Sequence, residues 1–119
     1  MSLLDEQFAF TLDVMKLEAK MIEMGFQFTY GEAARTVEQQ QLYVKTGRSK
    51  TMDSMHLLRL ARDYNIFRAR KLCGRDEIKP IGDFWESLSS KNRWGGNWRG
   101  LVDSGKSHFV DAPHFERNV

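Results

Sequence analysis

Two histidines and a carboxylate in distant parts of the chain could together bind a metal ion. His56 and Asp63 are seven residues apart, and His114 lies near the other end of the 119-residue sequence. Two imidazoles and one carboxylate suit a hydrolytic zinc site, in which the fourth position stays open for water. Asp111, three residues before His114, supplies a further carboxylate that could accept a proton from that water. The same ligand types also suit non-haem iron.

The spacing of these residues restricts the structure between them. Seven residues of α-helix would separate His56 and Asp63 by about 10 Å along the axis, and seven residues of strand by more than about 20 Å. Because zinc bonds are only about 2 Å long, a turn must bring the two side chains together. Pro113 favours extended backbone at the residue before it, so we also expect a folded loop between Asp111 and His114.

Several motifs follow one another in order along residues 8 to 117. They are Ala34-Arg35-Thr36-Val37-Glu38-Gln39-Gln40-Gln41-Leu42-Tyr43, Gly47-Arg48-Ser49-Lys50-Thr51, Ser54-x-His56-x6-Asp63, Trp94-Gly95-Gly96-Asn97-Trp98 and Asp111-x-x-His114-Phe115-Glu116. Together they resemble the M15 zinc peptidases of the D-Ala-D-Ala and L-Ala-D-Glu type. The resemblance is closest to the phage endolysin branch, the L-alanyl-D-glutamate peptidases. Each motif is weak alone, but their order and distances make the combination specific.

The resemblance implies a role for each residue of the possible metal site. His56, Asp63 and His114 would bind Zn²⁺. Asp111 would be the general base, which deprotonates the zinc-bound water and later protonates the leaving amine. Glu116, two residues past the last ligand, is the alternative base. Related carboxypeptidases and dipeptidases mostly have Glu at the position of Asp111, so this chain has a shorter carboxylate there.

The other motifs imply residues that act on the substrate. Arg35 would polarise the scissile carbonyl or its developing oxyanion through a fixed guanidinium. Ser54 would bind substrate or hold the ligand loop, and Trp94 and Trp98 would shape the cleft. Arg59 is a departure from the pattern, because many family members have glycine three residues after the first ligand.

Composition is that of an ordinary soluble globular protein, with 41% hydrophobic and 29% charged residues. The single cysteine, Cys73, excludes an internal disulfide and a cysteine-based zinc site. No window approaches 18 continuous apolar residues, and Asp5 and Glu6 stand where a signal peptide would be basic and then apolar. Length and composition fit one domain, and the resemblance implies that residues 1–119 are a single zinc peptidase catalytic domain. It would be made in the bacterial cytoplasm and, if it is a phage protein, would need a holin to reach the cell wall.

The basic residues are concentrated in one segment. Residues 45–75 contain nine Lys or Arg and two Asp, a net charge of +7. This segment leaves open a non-catalytic protein that binds a cell envelope or nucleic acid. A solvated face balanced by acids elsewhere is the simpler interpretation, and we expect no nucleic-acid partner.

Periodicity predicts the elements that must position the site. A first helix, ending near Gly25, is predicted from an apolar stripe at helical spacing that would face the core. The stripe consists of Leu4, Phe8, Leu12, Met15, Ala19 and Ile22. Strands are predicted at residues 26–30 and 60–67, a second helix at 36–45 with Thr36 as N-cap, and a third helix that begins at Pro80.

These elements predict an α+β fold, with residues 93–115 as loops and short strands that close the site. The resemblance implies a small single domain of the Hedgehog and D,D-peptidase type, with a short mixed or antiparallel sheet and flanking helices around a zinc cleft. It also implies an endolysin, a zinc endopeptidase that cleaves the L-Ala–D-Glu bond of the peptidoglycan stem peptide in phage-induced host lysis. A D-Ala-D-Ala carboxypeptidase or dipeptidase is the alternative. We expect a monomer, since no apolar face is left over once the predicted core is assigned.

Overall fold

The protein is described by a computed structural model that covers residues 1–31 and 55–119, together with residues 41, 42, 44 and 45. Its elements are α1 (Leu3–Glu23), β1 (Gln27–Tyr30), β2 (Ala61–Arg68), β3 (Lys71–Leu72), α2 (Arg75–Leu88), β4 (Asn92–Trp94) and β5 (His114–Arg117). The strands form one antiparallel sheet in the order β1-β2-β5-β4, and β3 pairs with β2 at the hairpin. The predicted α+β class is confirmed.

The register of the sheet decides which side chains share a face. Asp63 on β2 is opposite His114 on β5, and Glu116 on β5 is opposite Arg93 on β4. Directly opposed residues of antiparallel strands point to the same face, as do residues two apart along one strand. One face of the sheet therefore carries Asp63, His114, Glu116 and Arg93.

The opposite face of the sheet packs against the two helices and forms the core. Phe115 on β5 contacts Tyr64 on β2 and Trp85 on α2 edge to face, with ring centroids 5.8 and 6.1 Å apart. Phe10 on α1 meets Trp85 in the same way at 5.7 Å. These interlocking aromatic rings join both helices to the central strands.

Helix α1 turns its predicted core stripe outward, so that prediction is wrong. Leu4, Phe8, Leu12, Met15 and Ile22 are each exposed by 55–65%, and Ala19 is exposed as well. The buried apolar side chains of α1 are instead Phe10, Val14, Leu17 and Met21. The helix thus has apolar stripes on two nearly opposite sides. An apolar face does remain after the core is assigned, so the reason given for a monomer does not hold.

Two acidic residues fix which side of α1 faces inward. Glu6 and Asp13 are both buried. Glu6 accepts a hydrogen bond from Arg117 at 2.9 Å, and Asp13 accepts one from Asn92 at 3.0 Å. Rotating the outer stripe into the core would break these contacts, and buried charges without partners are costly.

Helix α2 begins five residues before its predicted start at Pro80. Gly74 is the N-cap, in extended backbone, and its N–H donates to the Glu77 carboxylate at 3.1 Å. Pro80 lies in the second turn, where its missing N–H leaves the Asp76 carbonyl without the usual helical hydrogen bond. The helix predicted from Pro80 is therefore present, but its predicted first residue is wrong.

The strands predicted at residues 26–30 and 60–67 correspond to β1 and β2, and α1 ends just before Gly25, which has a φ of +84°. The helix predicted over 36–45 lies mostly outside the described residues, of which 41, 42, 44 and 45 are helical. Within the described part of the chain, no helix has the length and apolar character needed to cross a membrane.

Candidate metal centre

His56 lies in a turn that precedes β2. The turn is closed by backbone hydrogen bonds from Leu58 and Leu60 to Met55 and from Arg59 to His56. Helix α1 supports it from outside, since the Gln7 side chain donates to the Leu58 carbonyl at 2.9 Å. The His56 side chain is almost fully buried. The predicted turn between the first two ligands is therefore present.

Asp63 and His114 meet across the β2–β5 pair. The His114 Nδ1 atom lies 3.1 Å from Asp63 Oδ1, and His56 Nε2 lies 3.3 Å from the same oxygen. One ligand atom from each of the three residues lies within 4.8 Å of the others. The structure therefore brings together all three residues that the sequence proposed as metal ligands.

These distances fit a zinc ion. Two ligand atoms bonded to zinc at about 2.0–2.1 Å in tetrahedral geometry are about 3.3 Å apart. The separations of His114 Nδ1 and His56 Nε2 from Asp63 Oδ1, 3.1 and 3.3 Å, match that edge length. Two imidazole nitrogens and one carboxylate oxygen are also donors that zinc accepts in enzymes. The residues present therefore suit the metal that the resemblance implies.

The electrostatics of the cluster favour a cation between its members. Burial acts to raise the pKa of Asp63, but hydrogen bonds from His114 and His56 outweigh it and lower the pKa to about 2. Burial likewise acts to lower the pKa of His114, but hydrogen bonds to Asp63 and Glu116 raise it to about 9. The two carboxylates on either side of the His114 ring therefore favour a positive charge between them.

Glu116 contacts the side of the His114 ring that faces away from Asp63. Its Oε1 lies 2.8 Å from His114 Nε2, and its Oε2 accepts hydrogen bonds from Arg93 Nη2 at 2.7 Å and Nε at 3.0 Å. Burial acts to raise the pKa of Glu116, but His114 and Arg93 lower it overall. Both Glu116 carboxylate oxygens already contact His114 or Arg93 on the side of the His114 ring that faces away from Asp63. This disfavours Glu116 as the alternative general base.

Asp111 lies in the turn that leads into β5. Its carbonyl accepts the N–H of His114 at 3.0 Å, and its own N–H donates to the Gly95 carbonyl at 2.8 Å. A Cβ atom on Gly95 would come within 2.2 Å of the Asp111 carbonyl oxygen. Glycine thus lets the two segments approach closely. The folded loop expected between Asp111 and His114 is present.

The two predicted cleft tryptophans have different surroundings. Trp94 is fully buried, its indole N–H donates to the Ala112 carbonyl at 2.8 Å, and Gly82 and Gly96 lie against its ring. Trp94 is therefore a core residue, and its part in shaping the cleft stays a prediction. Trp98 is partly exposed, and its ring centroid lies 5.5 Å from that of His114. Trp98 therefore lies beside a candidate metal ligand.

Two further predicted residues, Arg35 and Ser54, lie outside the described residues. Arg93 was missed by the sequence analysis, which named Glu116 only as an alternative base. The alternation in His114-Phe115-Glu116 places the histidine and the glutamate on one face of a strand. Arg93 is identified only by the register between β4 and β5.

The fold and the site define a small α+β domain with a candidate metal centre on one face of its sheet. A sequence model described as phage L-alanyl-D-glutamate peptidase matches residues 9–117. The chain belongs to this family, as its motifs predicted.

Two individual proteins are also similar to this chain. The L-alanyl-D-glutamate peptidase of Listeria phage A118 is 33% identical over 98 residues, which cover 79% of this chain and 31% of the relative. The crystal structure of the L-Ala D-Glu endopeptidase ChiX of Serratia marcescens matches with a TM-score of 0.57 and 26% identity, over 76% of this chain and 66% of that chain. The chain thus spans about a third of the curated relative's length.

Proposed function

We propose that this chain is a zinc-dependent peptidoglycan endopeptidase that hydrolyses the L-Ala–D-Glu bond of the stem peptide. The proposal rests chiefly on the cluster of His56, Asp63 and His114, whose ligand atoms lie within 4.8 Å of one another, with both histidine nitrogens 3.1–3.3 Å from Asp63 Oδ1. Membership of the phage L-alanyl-D-glutamate peptidase family supports the choice of bond. The activity named for the Serratia structure supports it too.

Each residue of the candidate centre has a distinct proposed task. Zn²⁺ held by His56, Asp63 and His114 would supply a Lewis acid for the scissile carbonyl and lower the pKa of a water molecule. Asp111 accepts the proton of that water and returns it to the leaving amine. The backbone hydrogen bonds of Asp111 to Gly95 and His114 support this role, because they fix its position relative to a ligand.

Further residues are proposed to bind the substrate. Arg35 stabilises the oxyanion through its guanidinium, and Ser54 contacts the substrate or holds the ligand turn. Trp98 offers a partly exposed aromatic surface next to His114. We propose that residues 1–119 act as the catalytic domain of an endolysin. It would be made in the bacterial host and released to the cell wall with the help of a holin.

Mass spectrometry of products tests the metal and the bond together. Purified protein is incubated with peptidoglycan, with a chelator and then with zinc added back. A new N-terminal D-Glu that disappears with chelator and returns with zinc is the expected result. Release of terminal D-Ala alone would identify a carboxypeptidase instead. No cleavage by a folded, zinc-loaded sample would contradict the proposal and favour a non-catalytic binding protein.

The general base is tested by Asp111→Asn, which keeps the size of the side chain and removes its basicity. We expect zinc binding to be retained and turnover to fall by about 10²–10⁴-fold. Asp83→Asn is the matched control. Asp83 is half-exposed on α2 and forms an ion pair with Lys79 at 2.9 Å, so this variant keeps full activity. Full activity of Asp111→Asn would assign the base elsewhere.

A further inference from the structure

His114 has polar partners on both sides of its ring. Its Nδ1 faces Asp63 at 3.1 Å and its Nε2 faces Glu116 at 2.8 Å. A neutral imidazole carries its proton on one nitrogen and a lone pair on the other. A metal bound through Nδ1, the nitrogen that faces the cluster, requires the proton to be on Nε2. An acceptor must therefore lie at Nε2, and the Glu116 carboxylate is that acceptor.

The Glu116 carboxylate is itself held in place by Arg93. It is buried, with 5% of its surface exposed. Its second oxygen accepts two hydrogen bonds from the Arg93 guanidinium, at 2.7 and 3.0 Å. The guanidinium also lies over the ring of Trp98, with its carbon 5.3 Å from the ring centroid. The carboxylate thus has both a fixed orientation and a balancing charge, although it is largely removed from water.

We propose that Glu116 and Arg93 are positioning residues for the metal centre. Glu116 holds the proton of His114 on Nε2 and fixes the plane of the ring, so that the Nδ1 lone pair points at the metal. Arg93 keeps the Glu116 carboxylate in that orientation. The consequence for catalysis rests on the proposed zinc function, but metal binding can be measured without any substrate. Acceptors of this kind behind a ligating histidine typically change metal affinity by about 10–100-fold.

Glu116→Gln creates a conflict that distinguishes this role from an ordinary ion pair. The amide has only one oxygen. If that oxygen accepts from Arg93, the NH₂ group faces His114 and forces the proton onto Nδ1, the metal-binding nitrogen. If the oxygen accepts from His114, the NH₂ group faces the donors of Arg93. We expect zinc affinity, measured by competition with a chelator, to fall by about 10–100-fold.

Adding Arg93→Met to Glu116→Gln removes the conflict, because the amide oxygen is then free to accept from His114. We expect the double variant to bind zinc more tightly than Glu116→Gln alone. Damage to the fold would not be repaired by removing a second ion-pair partner, so this recovery separates positioning from simple destabilisation. Arg68→Met is the control. Arg68 is exposed at the end of β2, five residues beyond Asp63, and donates to the Met24 carbonyl at 3.3 Å, so its replacement leaves zinc affinity unchanged.

Imidazole nitrogen NMR gives a second readout that does not depend on affinity. The chain has only three histidines, His56, His108 and His114, so their ring signals can be assigned by substitution. In the zinc-loaded protein we expect the His114 proton on Nε2. A proton on Nδ1, or unchanged zinc affinity in Glu116→Gln, would overturn the positioning role alone. Failure of the wild-type protein to bind zinc at all would overturn the proposed function as well.

Discussion

Arg59 has a left-handed backbone conformation, with a φ of 57°, in the turn between His56 and Asp63. This is the position at which the family resemblance described above leads us to expect glycine. A side chain in this region crowds its own backbone and costs about 1–2 kcal/mol. The ligand turn therefore carries local strain that its hydrogen bonds to Met55 and His56 must offset.

Arg59→Gly should stabilise the protein. Relief of the left-handed strain exceeds the added entropy of glycine in the unfolded chain, which costs roughly 0.5–1 kcal/mol. We expect a gain of up to about 1 kcal/mol in the free energy of unfolding, measured by denaturant titration of the metal-free protein. Arg59→Ala is the control, because it removes the same guanidinium but keeps a Cβ atom. An equal gain in stability in both variants would show that loss of the Arg59 charge, and not relief of backbone strain, is the cause.

At the scale of the element, α1 offers a direct test of which stripe faces the core. Leu17 is fully buried and Leu12 is 60% exposed on the same helix. We expect Leu17→Ala to lower the free energy of unfolding by about 2–5 kcal/mol, because it leaves a cavity. Leu12→Ala makes the same chemical change and should alter stability by less than about 0.5 kcal/mol. A larger loss of stability in Leu12→Ala than in Leu17→Ala would show that the outer stripe packs inward.

The sequence predicted those elements that are determined by residues close together in the chain. Alternation predicted β1, the residue pattern around Leu60 to Phe67 predicted β2, and bond lengths alone required a turn between His56 and Asp63. The inward face of α1 was not predictable in this way, because either stripe satisfies helical periodicity. The choice depends on contacts of Glu6 with Arg117, which lie far apart in the chain. The role of Arg93 depends on strand register, which no local pattern of residues contains.

The first helix and the last strand are joined by a buried ionic cluster that spans almost the whole chain. Glu6 accepts from Lys91 at 2.7 Å and from Arg117 at 2.9 Å, and Arg117 is 111 residues away in sequence. These two hydrogen bonds hold the pKa of Glu6 below its ordinary value of 4.5. The cluster fixes α1 against the sheet, beside the turn that carries His56.

This depressed pKa gives the stability of the molecule an acid dependence. The stabilisation is present above the ordinary pKa of 4.5 and is lost as pH falls through the lower folded-state pKa. We expect Glu6→Gln to be less stable than wild type at neutral pH, with a smaller loss on acidification. Thermal unfolding across this pH range measures both effects. Glu23→Gln, at the exposed end of the same helix, should keep the wild-type acid profile.

The outer stripe of α1 has a practical consequence for how unfolding is observed. Environment-sensitive dyes fluoresce when they adsorb to apolar surface, and Phe8, Leu12, Met15 and Ile22 offer such surface on the native protein. In a dye-binding unfolding assay, the dye will therefore already fluoresce strongly with the native protein. The increase in fluorescence on unfolding will be correspondingly small. Intrinsic fluorescence avoids this problem, because the indoles of Trp85 and Trp94 are fully buried and become hydrated only when the core opens.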